Sequence, residues 1–307
     1  MVKTTITPKQ IQISRYLRKR LQFIHRICNM LQNIVRVPGN NALVKIISHW
    51  FLPPIEEKSI VVPTIYGFDL CVSKRTGRQY YYYGYYEPGT IYVMQQSLEP
   101  GDVFIDAGAS VGLMTFMASI LVGNDGLVLS FEPHPYRYLQ LKDGISINKR
   151  GNISAYNLGL GKEEAVVRLY TDVASPSMVS GQGRSEFINV HVEPLDTVLR
   201  REKISNVRMI KIDVEGFEGE VLQGAEKLLV SEKAPILCIE HGVYESNFDA
   251  IGYLQKINDY SLFQLKRTKM YVSKLCPIEN HHELRLHDNV FCFLPYHLEK
   301  LSSTMFL

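Results

Sequence analysis

Residues Asp102 to Thr115 read DVFIDAGASVGLMT, and the punctuation of that stretch decides the fold. Three apolar residues, Val103 to Ile105, are followed by Asp106, Gly108 and Gly112. Beyond them Leu113, Phe116, Met117 and Ile120 recur at helical spacing. The order is strand, tight turn, helix start. In open α/β sheets such a turn receives a nucleotide-like ligand, because glycine lets the backbone come close and the helix start presents free N–H donors. Gly108, Ala109, Ser110 and Gly112 are therefore candidate contacts to that ligand. A dinucleotide site carries Gly at the first position of the turn and faces a pyrophosphate. Here that position is Asp106, whose carboxylate repels phosphate and favours a positively charged ligand.

Val128 to Phe131 is a second short apolar run, and it ends in Glu132-Pro133. An acid at the end of the second strand is placed to bind ribose hydroxyls. Asp106, Gly108, Gly112 and Glu132 together fit a class I methyltransferase site for S-adenosylmethionine, which carries an ammonium and a sulfonium. An ordinary βα turn with a surface acid explains each feature singly but not all four in order. An NAD-binding oxidoreductase is disfavoured by Asp106.

The rest of the chain supplies the elements of such a sheet. Ser59 to Val72 alternates like a hairpin turning near Tyr66-Gly67. Six tyrosines in seven residues follow at Tyr80 to Tyr86, flat faces with polar tips suited to sugars or cofactor rings. After the first two strands come a helix over Tyr136 to Asn148 and strands at Ile153 to Asn157, Met209 to Ile212, Ile236 to Ile239, Ser261 to Leu265 and Val290 to Leu294. Helices are expected from Leu195, over Glu218 to Leu229 and near Phe248 to Ile257. Glu164 to Tyr170 and Phe187 to Val192 read as an inserted ribbon, with a Ser- and Gly-rich loop between them at Ser175 to Ser185. The expectation is α/β: a Rossmann-like seven-stranded sheet with helices on both faces and an N-terminal helical extension. The division expected is 1–58 for the extension and 59–307 for the catalytic domain, with a core at about 86–295.

DVFIDAGASVG, SFEPHP, LDTVL, IKIDVEGFEGEVLQGAEKLL and PILCIEHG occur in this order. The chain resembles the FkbM family of S-adenosylmethionine-dependent methyltransferases through these motifs, over about Tyr86 to Pro295. The most diagnostic part is Asp213 to Ala225. Ser110 stands where the family more often has Asn, which keeps a small polar group. The resemblance implies a hydroxyl acceptor on a sugar, glycolipid or secondary metabolite. It also brings the element at Glu87 to Thr90 near the cofactor, making Glu87 a candidate contact. Glu132-Pro133 and Asn157, where adenine contacts are usual in this fold, complete the expected cofactor set.

Methyl transfer is an in-line displacement in which the protein positions the acceptor and removes its proton. Acceptor residues should then lie at the carboxyl ends of the strands over Met209–Ile212 and Ile236–Ile239. Asp213, Glu215 and His241 are the candidates, His241 because imidazole titrates nearest neutral pH. Asp213 and Glu215 would also stabilise a helix start without any catalysis, and a loop histidine is often structural. Asp213, Glu240 and His241 could hold a metal, but nothing in their spacing demands one, so none is expected. N-methylation and a catalytically idle binding module remain the alternative functions. Nucleic acid is not an expected partner, because no base-flipping motif is present and the excess of basic over acidic residues is confined to the N-terminus.

The five cysteines, Cys28, Cys71, Cys238, Cys276 and Cys292, show no CxxC spacing and suggest a reducing compartment without disulfides or structural zinc. No apolar run reaches the length of a membrane span and the first residues lack a secretory h-region, so a cytoplasmic protein is expected. The net charge of +3 is unevenly spread: the first fifty residues carry nine Lys and Arg and no acid. Ile13, Leu17, Leu21, Ile24, Cys28 and Leu31 mark one apolar helical face there. Three roles stand open for it: packing on the catalytic domain, targeting, or peripheral contact with an anionic membrane through Leu17, Leu21 and Ile24. A second helical stretch is expected over Ala42 to Phe51, ending at Pro53-Pro54.

Overall fold

The computed structural model describes residues 15–34, 50–55, 57–171, 176–179, 185–242, 249–266, 274–279, 284–285 and 287–307. Helix α1 (Arg15–Ile34) comes first, then a hairpin of β1 (Ile60–Pro63) and β2 (Asp69–Val72), antiparallel with Val61 opposite Cys71. Two helices follow, α2 (Arg78–Tyr83) and α3 (Pro88–Ser97). The core then runs β3 (Val103–Ala107), α4 (Leu113–Leu121), β4 (Leu127–Phe131), α5 (Pro135–Asn148), β5 (Ile153–Tyr156). A small sheet of β6 (Gly159–Leu160), β7 (Ala165–Tyr170) and β8 (Phe187–Glu193) interrupts it. The chain continues with α6 (Leu195–Glu202), β9 (Met209–Ile212), α7 (Glu218–Gln223), α8 (Glu226–Leu229), β10 (Ile236–His241), α9 (Ala250–Ile257) and β11 (Ser261–Leu265). It closes with β12 (Leu275–Pro277), β13 (Asp288–Phe293) and α10 (Pro295–Leu298).

The large sheet has the order β12-β11-β13-β10-β9-β3-β4-β5. Strands β10, β9, β3, β4 and β5 are parallel, and β13 joins β10 antiparallel. The strand order therefore reverses between β3 and β9, where such sheets open a crevice beyond their carboxyl ends. Apolar side chains on the two sheet faces form two hydrophobic clusters, one around Phe104, Phe116 and Phe291, the other around Ile105, Leu129, Leu195 and Leu222. This is the expected α/β layering.

Three expectations need correction. The sheet has eight strands, not seven; β12 is a three-residue edge strand ending in Pro277, too short and too close to a proline to read from alternation. The helix expected over Glu218 to Leu229 is two, α7 and α8, broken at Gly224-Ala225. A Cβ on Gly224 would lie 1.9 Å from the Gly161 carbonyl oxygen, so the break sits where two backbones nearly touch. Third, the α1 face with Leu21 and Ile24, open to a membrane role from sequence, packs on the rest of the protein. Leu21, Ile24 and Cys28 are buried in the same cluster as Phe104, Phe116 and Phe291, and the Arg18 guanidinium donates to both oxygens of Asp69 at 2.8 Å. The face expected to meet a membrane is thus turned inward. Of the helix expected over Ala42 to Phe51, Trp50 and Phe51 are described and are helical; the rest of it and most of the Ser175 to Ser185 loop lie outside the described residues. Among the described residues no helix is long and apolar enough to cross a membrane.

Candidate functional site

The turn after β3 is built by close approach. The N–H groups of Gly108 and Ala109 donate to the Phe131 carbonyl at 3.0 and 2.9 Å, and Asp213 N–H donates to Ala107 O at 3.0 Å. Gly108 has φ +84°, and a Cβ there would sit 1.9 Å from the Asp213 carbonyl oxygen. Only glycine fits. Gly112, at φ +95°, caps α4, with Leu141 and Phe116 filling the space beside it. Ser110, also at positive φ, donates its N–H to Glu132 Oε2 at 2.7 Å, and His134 N–H donates to Oε1 at 2.8 Å. The Glu132 carboxylate is thereby fixed with one lone pair on each oxygen still available. Burial pushes its pKa up, and Arg137 with the two N–H donors pulls back. Asn157 donates to the Glu132 and Pro133 carbonyls at 2.9 and 3.0 Å and so holds the end of β4.

Asp106 lies deeper. Its Oδ2 accepts from the Thr115 hydroxyl of α4 at 2.6 Å, and that hydroxyl shares a 2.9 Å bond with Ser130. Lys211 is its neighbour across β3 and β9. Burial raises the Asp106 pKa, and Lys211 is the strongest influence opposing that. The Lys211 ammonium is itself buried and donates to Asp213 Oδ2 at 2.6 Å. Burial works against its charge, but the carboxylates of Asp213, Glu87 and Asp106 outweigh burial and carry its pKa well above the ordinary value. Glu87, in the left-handed region at φ 46°, is buried and accepts from Thr90 at 3.0 Å and Asn289 at 2.8 Å.

Beyond the strand ends lies a cavity of about 300 Å³. Of the residues expected at the site, Gly108, Ser110, Glu132, Pro133, Asp213 and Glu215 line it. Glu87, Asp106, Ala109, Gly112, Asn157 and His241 are not among its described wall residues; the first five stand behind or beside the wall. Glu240 lines it. Side chains alternate along a strand, so His241 points to the other side of the sheet from Glu240. Sequence reasoning missed Arg137, Gln79 and Lys211. Lys211 left a signal, a charge within the otherwise apolar strand MIKI. The tyrosine run divides: Tyr81, Tyr82 and Tyr85 are buried packing, while Tyr80 and Tyr86 reach the cavity.

Carboxylate oxygens of Asp213, Glu215 and Glu240 lie within 4.8 Å of one another. Glu215 takes the place of His241 in the trio expected to be able to hold a cation. Its backbone is at φ 55°, and its carbonyl accepts from Ser177 at 2.6 Å. Glu218 steadies the same turn by accepting from the N–H groups of Val214 and Gly216 at 3.2 and 3.1 Å. Burial, the largest influence, pushes the Glu218 carboxyl up to about 7. The site thus offers a glycine turn for close backbone approach, a fixed acid at the end of β4, and three clustered acids at the ends of β9 and β10.

The chain is similar to several known methyltransferases. "Methyltransferase 1" of Beauveria bassiana is 25% identical over 150 residues, 41% of this chain and 60% of that protein. "Hexuronic acid methyltransferase AglP" of Haloferax volcanii is 24% identical over 162 residues, 51% of this chain and 64% of that protein. The chain therefore spans somewhat under two thirds of each of these relatives. Among solved structures, a precorrin-6y C5,15-methyltransferase from Geobacter metallireducens GS-15 aligns at a TM-score of 0.39 and 13% identity, covering 71% of this chain and 91% of that one. The profile of the Methyltransferase FkbM domain matches residues 106–286, more than half of the sequence, and the chain belongs to that family.

Proposed function

We propose that the chain transfers the methyl group of S-adenosylmethionine to a hydroxyl of a sugar or sugar-like acceptor. The observation that carries this reading is the convergence of two sets of acids on one cavity: Glu132 at the end of β4, and Asp213, Glu215 and Glu240 at the ends of β9 and β10. The residues present fit the cofactor. The turn over Gly108 to Gly112 has no room for a Cβ at either glycine, and Glu132 keeps an acceptor lone pair on each oxygen for ribose hydroxyls. Asp106 acts from behind the wall, adding negative charge and fastening the start of α4 through Thr115. When bound, the cofactor supplies the electrophilic methyl group.

The chain's own groups hold the acceptor and take its proton. Asp213 is pinned by Lys211 at 2.6 Å, which fixes its carboxylate as a hydrogen-bond acceptor for orienting a hydroxyl. Glu215 and Glu240 bring two further carboxylates within 4.8 Å of Asp213 and of each other, beside the place where the hydroxyl would sit. That cluster would take the hydroxyl proton when the methyl group leaves the cofactor sulfur for the acceptor oxygen. The hexuronic acid named for the Haloferax volcanii relative supports a sugar acceptor. Incubation with methyl-labelled S-adenosylmethionine and a panel of uronic acids, neutral glycosides, glycolipids and amines tests the reading. Label on a sugar oxygen is expected. Label on amines alone would overturn hydroxyl transfer, and cofactor binding without transfer to any member would favour an idle binding module.

A further inference from the structure

Helix α1 carries two apolar faces. The inward one, with Leu21, Ile24 and Cys28, is buried in the core. Tyr16, Phe23 and Met30 stand seven residues apart, just under two turns, and so share another face. They are 71%, 63% and 53% exposed. The segment leading to β1 adds Trp50 and Phe51, both helical, 83% and 51% exposed. Half of the large apolar side chains exposed in the described structure fall within these two short segments. Both segments are fastened to one residue of α2. Tyr81 receives a bond from His25 Nε2 of α1 at its carbonyl, 2.9 Å, and donates its hydroxyl to Pro53 O at 2.9 Å.

Charge frames the exposed stripe. Lys19 and Arg26, both exposed, lie one turn from Tyr16, Phe23 and Met30, and the Arg20 guanidinium sits over the Tyr16 ring. No acid occurs in the first fifty-five residues. We infer that this outer face of α1, with Trp50 and Phe51, docks on an anionic lipid bilayer surface. Aromatic side chains seat well at the headgroup level, and flanking Lys and Arg meet anionic headgroups. A second copy of the chain is a poor occupant, because pairing this face with itself sets basic residues against basic residues with no acid to relieve them. The docking face belongs to the helix packed on α2, and α2 contributes Gln79 and Tyr80 to the cavity wall.

The test is co-sedimentation of the full chain with vesicles of phosphatidylcholine alone and of equimolar phosphatidylcholine and phosphatidylserine, at low and high salt. Binding to the anionic vesicles at low salt, lost at high salt and absent on neutral vesicles, is expected. Lys19→Glu/Arg26→Glu should weaken it by about 30-fold or more, since each basic residue near an anionic surface contributes about a factor of five. Phe23→Ala/Trp50→Ala should weaken it roughly tenfold or more through lost shallow burial. Both variants change exposed side chains, and unchanged affinity for S-adenosylmethionine by titration calorimetry confirms their folding. No binding of the wild type to anionic vesicles at low salt overturns the inference. So does binding that neither double variant weakens, which would place attachment elsewhere on the chain. A dimer in sedimentation that the same variants dissolve, without vesicle binding, would assign the face to a second copy instead.

Discussion

Replacing Lys211 by methionine removes the ammonium that faces Asp106, Asp213 and Glu87 while keeping the length of an apolar stem. Breaking a buried pair by deleting one partner costs about 3–5 kcal/mol, because the other charge is left without compensation. Asp213 is one-fifth exposed and can recover some hydration, but Asp106 is buried and cannot. A buried carboxylate has one escape, which is protonation. Raising an aspartate from its ordinary range to neutrality costs roughly 4 kcal/mol at about 1.4 kcal/mol per unit, which caps the loss. Lys211→Met should therefore destabilise the protein by about 3–4 kcal/mol at neutral pH. The loss should depend on pH with a definite sign. In the variant the folded-state pKa of Asp106 rises further above its unfolded value. The associated stability is then present at acid pH and lost as pH climbs from about 4 through the raised folded value. Urea denaturation followed by circular dichroism at several pH values measures this directly. The gap between wild type and variant should be small near pH 4 and wide at pH 7. Lys211→Met/Asp213→Asn should recover part of the loss, because one of the orphaned charges is gone. A loss below about 1 kcal/mol that does not change with pH would show that the three acids do not depend on Lys211.

Other outcomes follow from the same site. Gly108→Ala should cost about 2 kcal/mol or more and weaken cofactor binding, whereas Gly101→Ala, at a similar φ but with nothing within 4 Å, should cost only the backbone strain of about 1 kcal/mol; equal thermal shifts for the two would remove the argument from close approach. Glu132→Gln sets an amide donor against the Ser110 or His134 N–H and should lower S-adenosylmethionine affinity by tenfold or more, read by titration calorimetry. Glu218, raised from 4.5 to about 7, makes the fold less stable as pH rises through that window, by about 3 kcal/mol at most, so Glu218→Gln should flatten the pH dependence of urea midpoints between pH 4.5 and 7. Turnover should survive exhaustive chelation, because Lys211 already neutralises one of the three clustered acids; loss restored by magnesium would assign the cluster to a metal instead.

Much of this protein is legible from local sequence. The glycine turn after β3 and the acid after β4 are contiguous motifs, and their conformations are set within a few residues. The mostly apolar stretches of β9 and β11 agree with their boundaries for the same reason, since strands inside a sheet are buried over nearly their whole length. The family resemblance came from these same ordered motifs, and the profile match lies inside the span expected for it.

Tertiary structure decided the rest, because each remaining feature depends on register between distant segments. Alternation along β10 turned Glu240 rather than His241 to the cavity, and no local signal says which face of a strand meets the site. Pairing of β3 with β9 put Lys211 beside Asp106, making a charged residue within an apolar strand the counterion of three acids. Packing on α2 chose which of the two apolar faces of α1 is buried. The periodicity of Leu17, Leu21, Ile24 and Cys28 identified a stripe but not its partner, and burial inside the core left Tyr16, Phe23 and Met30 facing outward. The sequence alone determined the fold family and the glycine turn after β3, whose forces act over a few residues. Only the folded chain determined which acids share a cavity and which helix face remains exposed, since those follow from contacts between segments far apart in sequence.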